Sequence, residues 1–138
     1  IYPNIDAGSV KMISKIRKYE NKNQYPQIFM QKHIEFEDYI KILRNCSCIG
    51  GNSSSGIRES CFFGIPTVNI GTRQNERQCG KNVKHSSYKT ENIYKAIKYQ
   101  IGKGKYKSEK IYGDGYAGKK ISKILNNIKI QVQKKITY

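Results

Sequence analysis

The chain has 138 residues, with 26 Lys plus Arg against 10 Asp plus Glu for a net charge of +16, four Cys and two His. That is one ordinary domain with room for its own core; no apolar run approaches the roughly 20 residues that span a bilayer, and His33 and His85 stand at no metal-ligand spacing from the cysteines, which include no Cys-x-x-Cys pair. The expectation is a soluble, cytoplasmic protein without metal, membrane partner or leader segment, with reduced thiols of which Cys48 and Cys61 are buried.

In chain order, Ile1 to Ser9 reads as a loop following a strand that lies upstream, and Ser9 caps a helix through about Tyr19 with Val10, Ile13 and Ile16 as its apolar stripe. Asn21 to Gln24 ends it. Tyr25 to Met30 reads as a strand, Lys32-His33-Ile34 follows it, and a helix from about Glu37 to Asn45 buries Tyr39, Ile40 and Leu43. The short apolar run Cys46, Cys48, Ile49 closes on Gly50-Gly51; Asn52 to Gly56 is a turn of small residues, and Ile57 to Phe63 carries apolar side chains at helical spacing, with Arg58 and Glu59 one turn inside. Ile65 to Ile70 reads as a buried strand from whose C-terminal end Gly71-Thr72-Arg73 departs, and Lys81-Asn82-Val83 as a short edge strand, with His85 in a polar loop. Thr90 caps a helix from Glu91 to about Ile101 with Ile93, Ile97 and Ile101 inward. Gly102 to Lys105 is a loop and not a phosphate-binding glycine motif, since no buried strand enters it and no Ser or Thr follows the lysine. Tyr112-Gly113-Asp114-Gly115 makes a tight turn into a helix from about Tyr116 to Asn127 with Ala117, Ile121 and Leu125 inward, and Ile128 to Tyr138 is a basic tail. Strands alternating with helices of this length predict an α/β fold with a parallel, Rossmann-like sheet.

The stretch from Gly50 to Gly80 carries the chemistry. Strand, turn and helix in that order present unpaired N–H groups and a positive dipole end to an anion, with serine hydroxyls as further donors. Ligands of open α/β sheets gather at the C-terminal strand ends, where Arg73 also emerges. Singly, each part has a plainer role: a serine run caps a helix, an early glutamate offsets the dipole, and an arginine after a strand is solvated. Together they predict a phosphate and ribose site.

The segments GNSSSGIRE (51–59), FGIPTVNIGTRQ (63–74) and KIYGDG (110–115), with YPNIDAGS (2–9) at the start, resemble the hydrolysing UDP-N-acetylglucosamine 2-epimerases, especially the sialic acid branch. The resemblance runs almost end to end. It implies that residues 1–138 are the C-terminal, UDP-binding half of a glycosyltransferase-B type two-domain enzyme, whose proton-transfer groups lie in an N-terminal domain upstream, and which works without a cofactor, as a homodimer when whole. The implied substrate is UDP-N-acetylglucosamine, converted to N-acetylmannosamine and UDP. The implied UDP contacts are Asn4, Ile34, Ser53 and Ser54 for phosphate, Glu59 for the ribose hydroxyls and Arg73 for the diphosphate; Asp6 and Ser9 match too, with turn and cap chemistry as their plainer role. Lys32-His33 matches a pair that holds the regulatory nucleotide sugar CMP-sialic acid in animal members, but Val10 and Asn23 replace a lysine and a glutamate of that site. The other readings are a hydrolysing epimerase of a modified sugar such as UDP-diacetylbacillosamine and a basic nucleic-acid-binding module. Charge alone suggests the last: after residue 80 there are 15 cations against 3 acids, yet all 15 are lysine, while the five arginines, better bidentate readers of phosphate, precede residue 80. No specific nucleic acid is expected.

Overall fold

The computed structural model describes residues 1–3, 7–20 and 28–129. Its contacts divide the chain into two units, Ile1–Asn45 and Cys46–Tyr138.

The first unit is helical. α1 spans Ser9–Glu20 and α2 spans Phe36–Asn45. Ser9 is the first helical residue of α1 and is buried, Ile13 and Ile16 are half-buried, and Val10, expected in the same stripe, is 78% exposed. In α2 Leu43 is buried with Tyr39 and Ile40 half-buried, as its spacing predicts, and Glu37 and Asp38 lie in the first turn, where the helix dipole favours acids. The strand predicted over 25–30 is not found at its described end, where Ile28, Phe29 and Met30 take no regular structure; 21–27 lie outside the described residues, as does Asn23.

The second unit is built on three short parallel strands, β1 (Ile49–Gly51), β2 (Thr67–Ile70) and β3 (Val83–Ser86), in the order β1-β2-β3. Ile49 pairs with Thr67, and Thr67 with Val83. Between β1 and β2 the chain forms a 3-10 turn at Ser54–Gly56 and then the short helix α3, Glu59–Phe63, where one helix from Ile57 was predicted. Glu59 is therefore the first residue of α3, with Arg58 at its cap, and neither stands a turn inside. Gly64 ends α3 with φ 65°, a left-handed conformation in which a Cβ would run into the Tyr106 carbonyl, and Ile65 N–H returns to Ser60 O at 2.9 Å. β3 begins two residues later than predicted, and places His85 in a strand and not in a loop.

The centre of this unit is as polar as it is apolar. Ile57, Cys61, Ile65, Val68 and Ala96 are buried beside Ser60, Thr67, Asn82 and Gln100. On the α3 side, Ser60 donates to Gly56 O (2.7 Å), Thr67 to Ser60 Oγ (2.9 Å), and the Asn82 amide to both Ser60 Oγ (3.0 Å) and Ile65 O (2.7 Å). On the other face runs α4, Thr90–Lys103. Its Gln100 amide donates to Thr67 O and Asn82 O, each at 2.7 Å, and accepts from the Tyr106 hydroxyl at 2.6 Å. The buried stripe of α4 is thus Ala96 and Gln100 with Ile93 and Ile97 half-buried, whereas Ile101 is exposed; Lys89, not Thr90, is the cap residue, and Asn92 of the first turn donates to Ser87 Oγ at 2.9 Å.

Asp114 builds the turn that opens α5, Ala117–Asn127, accepting from Tyr116 N–H at 3.1 Å and Lys120 Nζ at 2.8 Å between Gly113 and Gly115, both at positive φ. The Lys120 contact first, then the Tyr116 N–H, holds its carboxyl below the ordinary aspartate value. A depressed pKa stabilises above the unfolded value and ceases to do so as pH falls through the folded one. The turn is accordingly expected to loosen only in acid, and Asp114→Asn to abolish that pH dependence in amide exchange at Tyr116. Ala117, Ile121 and Leu125, expected inward, are all exposed, and α5 buries none of its residues. The four cysteines are free, Cys61 buried and Cys48 only half-buried. Among the described residues no helix is long and apolar enough to cross a membrane.

Candidate functional site

Because β1 and β2 are parallel, the loops leaving their C-terminal ends meet. Asn52 follows β1; Arg73 and Gln74 follow β2 after Gly71, whose φ of 78° turns the chain. Gln74 Nε2 donates to Asn52 O at 2.8 Å and Arg73 Nη1 approaches the same oxygen at 3.5 Å. Arg73 therefore lies beside the serine loop, as the order of the elements predicts, with its guanidinium exposed.

Within the serine loop, Ser53 has extended backbone and its Oγ accepts from Ser55 N–H at 3.3 Å, while Gly56, Ile57 and Arg58 N–H turn back to the Ser53 and Ser54 carbonyls. The 3-10 turn consumes the donors that a regular helix would have left open at these positions. Ser53 is exposed and Ser54 half-buried.

Glu59 lines a cavity of about 170 Å³ with Arg58, Phe62, Glu109, Tyr112 and Gly113. Its Oε2 is buried and has no hydrogen-bond partner. Arg58 stacks over the Tyr112 ring at 5.7 Å, and the Tyr112 hydroxyl donates to Gln78 O, tying the 110–115 segment to the loop that carries Arg73. Gln74, buried with its Oε1 unpartnered, and Tyr112 are site neighbours that sequence reasoning did not single out. A larger concavity of about 430 Å³ between β3 and α4, lined by Lys84, Ser87, Lys95 and Tyr99 among others, contains none of the predicted residues.

Ile34, Lys32 and His33 belong to the first unit: Ile34 is half-buried, Lys32 and His33 are exposed, and His33 Nε2 lies 3.2 Å from Glu35 Oε1. Asn4 and Asp6 lie outside the described residues. Among those described, no group of three or more His, Cys, Asp or Glu could hold a metal ion.

A parallel α/β unit whose loops after β1 and β2 meet at Asn52, Arg73 and Gln74 is of the Rossmann-like class. Residues 1–126 match the model of the UDP-N-acetylglucosamine 2-epimerase family, and the chain belongs to that family. It is 32% identical over 130 residues to the UDP-N-acetylglucosamine 2-epimerase of Neisseria meningitidis serogroup B, covering 92% of this chain and 33% of that protein. It is 31% identical over 131 residues to the UDP-N,N'-diacetylbacillosamine 2-epimerase (hydrolyzing) of Legionella pneumophila, covering 95% of this chain and 34% of that protein. A GDP/UDP-N,N'-diacetylbacillosamine 2-epimerase (hydrolyzing) of Campylobacter jejuni is 31% identical over 80 residues, 58% of this chain and 21% of that protein. The chain spans about a third of the length of the first two relatives.

Proposed function

We propose that this chain is the UDP-binding half of a hydrolysing UDP-N-acetylglucosamine 2-epimerase that releases N-acetylmannosamine and UDP, in sialic acid synthesis. The observation that carries the reading is the unpartnered, buried Glu59 oxygen, whose side chain lines a cavity with Arg58, Phe62, Glu109, Tyr112 and Gly113. A carboxylate oxygen without a donor is costly to keep out of water, and a vicinal diol supplies two donors. In this reading Glu59 takes the ribose hydroxyls, Ser53 and Ser54 the phosphates, and Arg73 the diphosphate, where a fixed cation favours the charge that develops on a departing UDP. Asn4 and Ile34 as further UDP contacts, and Lys32 and His33 as a regulatory nucleotide-sugar pair, rest on the family resemblance. The base and acid that move the sugar protons are assigned to the part of the relatives' length that this chain does not span, and the full protein is read as a homodimer. The names of the Legionella and Campylobacter relatives support a second reading, a diacetylbacillosamine sugar in place of N-acetylglucosamine; offering both UDP-sugars to the full protein and measuring UDP release separates the two.

Calorimetric titration with UDP, and with single-stranded RNA across a salt series, tests the reading against a basic nucleic-acid module. UDP binding is expected, with RNA bound only weakly. Tight RNA binding with a steep salt slope and no UDP binding would overturn it. Arg73→Ala is expected to weaken UDP about tenfold while leaving uridine within a factor of about two, because only UDP presents the anionic oxygens onto which a guanidinium forks. Equal losses for both ligands would mean that Arg73 only shapes the loop at Asn52.

A further inference from the structure

Cys79, His85 and Asn69 form a side-chain cluster that the nucleotide reading leaves unused. His85 Nε2 lies 3.7 Å from Cys79 Sγ, and its Nδ1 lies 3.0 Å from the Asn69 side-chain amide. Asn69 is 1% exposed, and its Oδ1 has no hydrogen-bond partner. Cys79 is half-buried and His85 exposed, so a reagent reaches the sulfur from solvent. The register of β2 and β3 builds this cluster, since Asn69 and His85 are directly paired, while Cys79 closes the loop between the strands. The neighbouring titratable groups are Cys61 and Glu109, which meet at Gly80, the residue after Cys79.

A thiol within reach of an imidazole, with the imidazole oriented by a third polar side chain, is the arrangement that activates a cysteine nucleophile. The two ends of an amide differ only in their hydrogens. Turning the Asn69 amide by half a turn lets its unpartnered oxygen accept from the His85 Nδ1–H, which leaves the Nε2 lone pair facing the Cys79 thiol. Transfer of the thiol proton to Nε2 then gives a thiolate beside an imidazolium whose other N–H is held by a buried oxygen.

We propose that Cys79 is a nucleophilic thiol, activated by His85 and positioned through Asn69, that forms a reversible mixed disulfide with a low-molecular-weight disulfide. The thiolate attacks one sulfur of the small disulfide; the bond to Cys79 Sγ forms as the original S–S bond breaks, and the departing thiolate takes the proton from His85 Nε2. One protein thiol and one small disulfide become one mixed disulfide and one small thiol, with no other oxidant. The adduct falls at the end of the loop whose start carries Arg73 and Gln74 and whose Gln78 carbonyl accepts from Tyr112.

The test is incubation of the full chain with glutathione disulfide, with adducts at each cysteine followed over time by mass spectrometry. Cys46, Cys48 and Cys61 serve as internal references, since burial pushes all three thiols up. At pH 7 the adduct at Cys79 is expected to form at least tenfold faster than at any of them, and His85→Gln to slow it about tenfold without changing the far-UV circular dichroism. Between pH 8 and pH 6.5 the wild-type Cys79 rate is expected to fall less steeply than the reference rates, a measurement that needs no variant to fold. A Cys79 rate equal to that of Cys46, a rate unchanged in His85→Gln, or a Cys79 rate falling in parallel with the references would each overturn the proposal.

Discussion

Gln100→Leu is expected to lower the stability of the second unit by about 2 to 4 kcal/mol, although the substitution raises helix propensity and adds apolar surface. Each of the three hydrogen bonds that the amide makes contributes about 0.5 to 1.5 kcal/mol net, and all three are lost together. Two hold α4 against backbone carbonyls of neighbouring chain segments, Thr67 O on β2 and Asn82 O immediately before β3. The third leaves the part-buried Tyr106 hydroxyl without its acceptor. Leucine is branched where glutamine is straight, and Gln100 is fully buried, so little of the apolar gain is realised without strain. Denaturant unfolding of Gln100→Leu and Gln100→Glu checks this: glutamate keeps acceptors but no donors and is expected to be at least as damaging, because it places a charge against two carbonyl oxygens. A loss below about 1 kcal/mol in both would mean that α4 is held by Ala96 and its apolar neighbours alone.

That prediction could not be drawn from the sequence, and the reason is physical. Apolar periodicity locates α2 and α4, and β-branched residues bounded by Gly and Pro locate β2, because those patterns follow from burial itself. It does not locate Ser60, Thr67, Asn82 and Gln100 as core, since a polar residue at an inward position looks like an error in the pattern unless its partners are known, and the acceptors of the Asn82 and Gln100 amide groups lie 17 or more residues away. β3 was displaced for a related reason: Val83-Lys84-His85-Ser86 carries one apolar side chain and lies at the sheet's edge among the described strands. For α5 the helix is legible and its burial is not, because spacing defines an apolar face without saying what covers it.

The site divides the same way. The meeting of the loop after β1 with Arg73 and Gln74 after β2 was legible, since two consecutive parallel strands deliver their following loops to one edge; Glu59 lines a cavity with Arg58, Phe62, Glu109, Tyr112 and Gly113 that the order of the elements does not define. The internal bonding of the 3-10 turn was not legible, because Asn-Ser-Ser-Ser-Gly is compatible with several turn geometries. Nor was the place of Tyr112, brought to Arg58 by the chain's return after α4. The Cys79–His85 approach depends on strand register, which the displaced β3 conceals.

Glu59→Gln is expected to weaken UDP by about 1.5 to 3 kcal/mol, the range for hydrogen bonds to a charged group, or roughly 10- to 150-fold. The argument starts from the Oε2 atom, buried without a partner at the first residue of α3. A folded chain gains nothing from such an atom and loses its hydration, so removing the charge is expected to leave stability unchanged within about 0.5 kcal/mol or to raise it. A residue whose loss harms binding but not folding is the signature of a site that trades stability for function. Glutamine keeps the shape and one acceptor but turns an NH2 donor toward hydroxyls that must themselves donate, so the loss comes from mismatched hydrogen bonding and not from a cavity. The ribose assignment makes a sharper demand through 2'-deoxy-UDP, which lacks one of the two donors. The wild-type chain is expected to bind it at least fivefold more weakly than UDP, and Glu59→Gln to shrink that difference to about twofold or less, a coupling read from a double-mutant cycle by calorimetry. If both nucleotides weaken equally in Glu59→Gln, the carboxylate faces some group other than the ribose; if neither weakens and the fold loses stability, Glu59 serves the start of α3 and the nucleotide reading of this cavity fails.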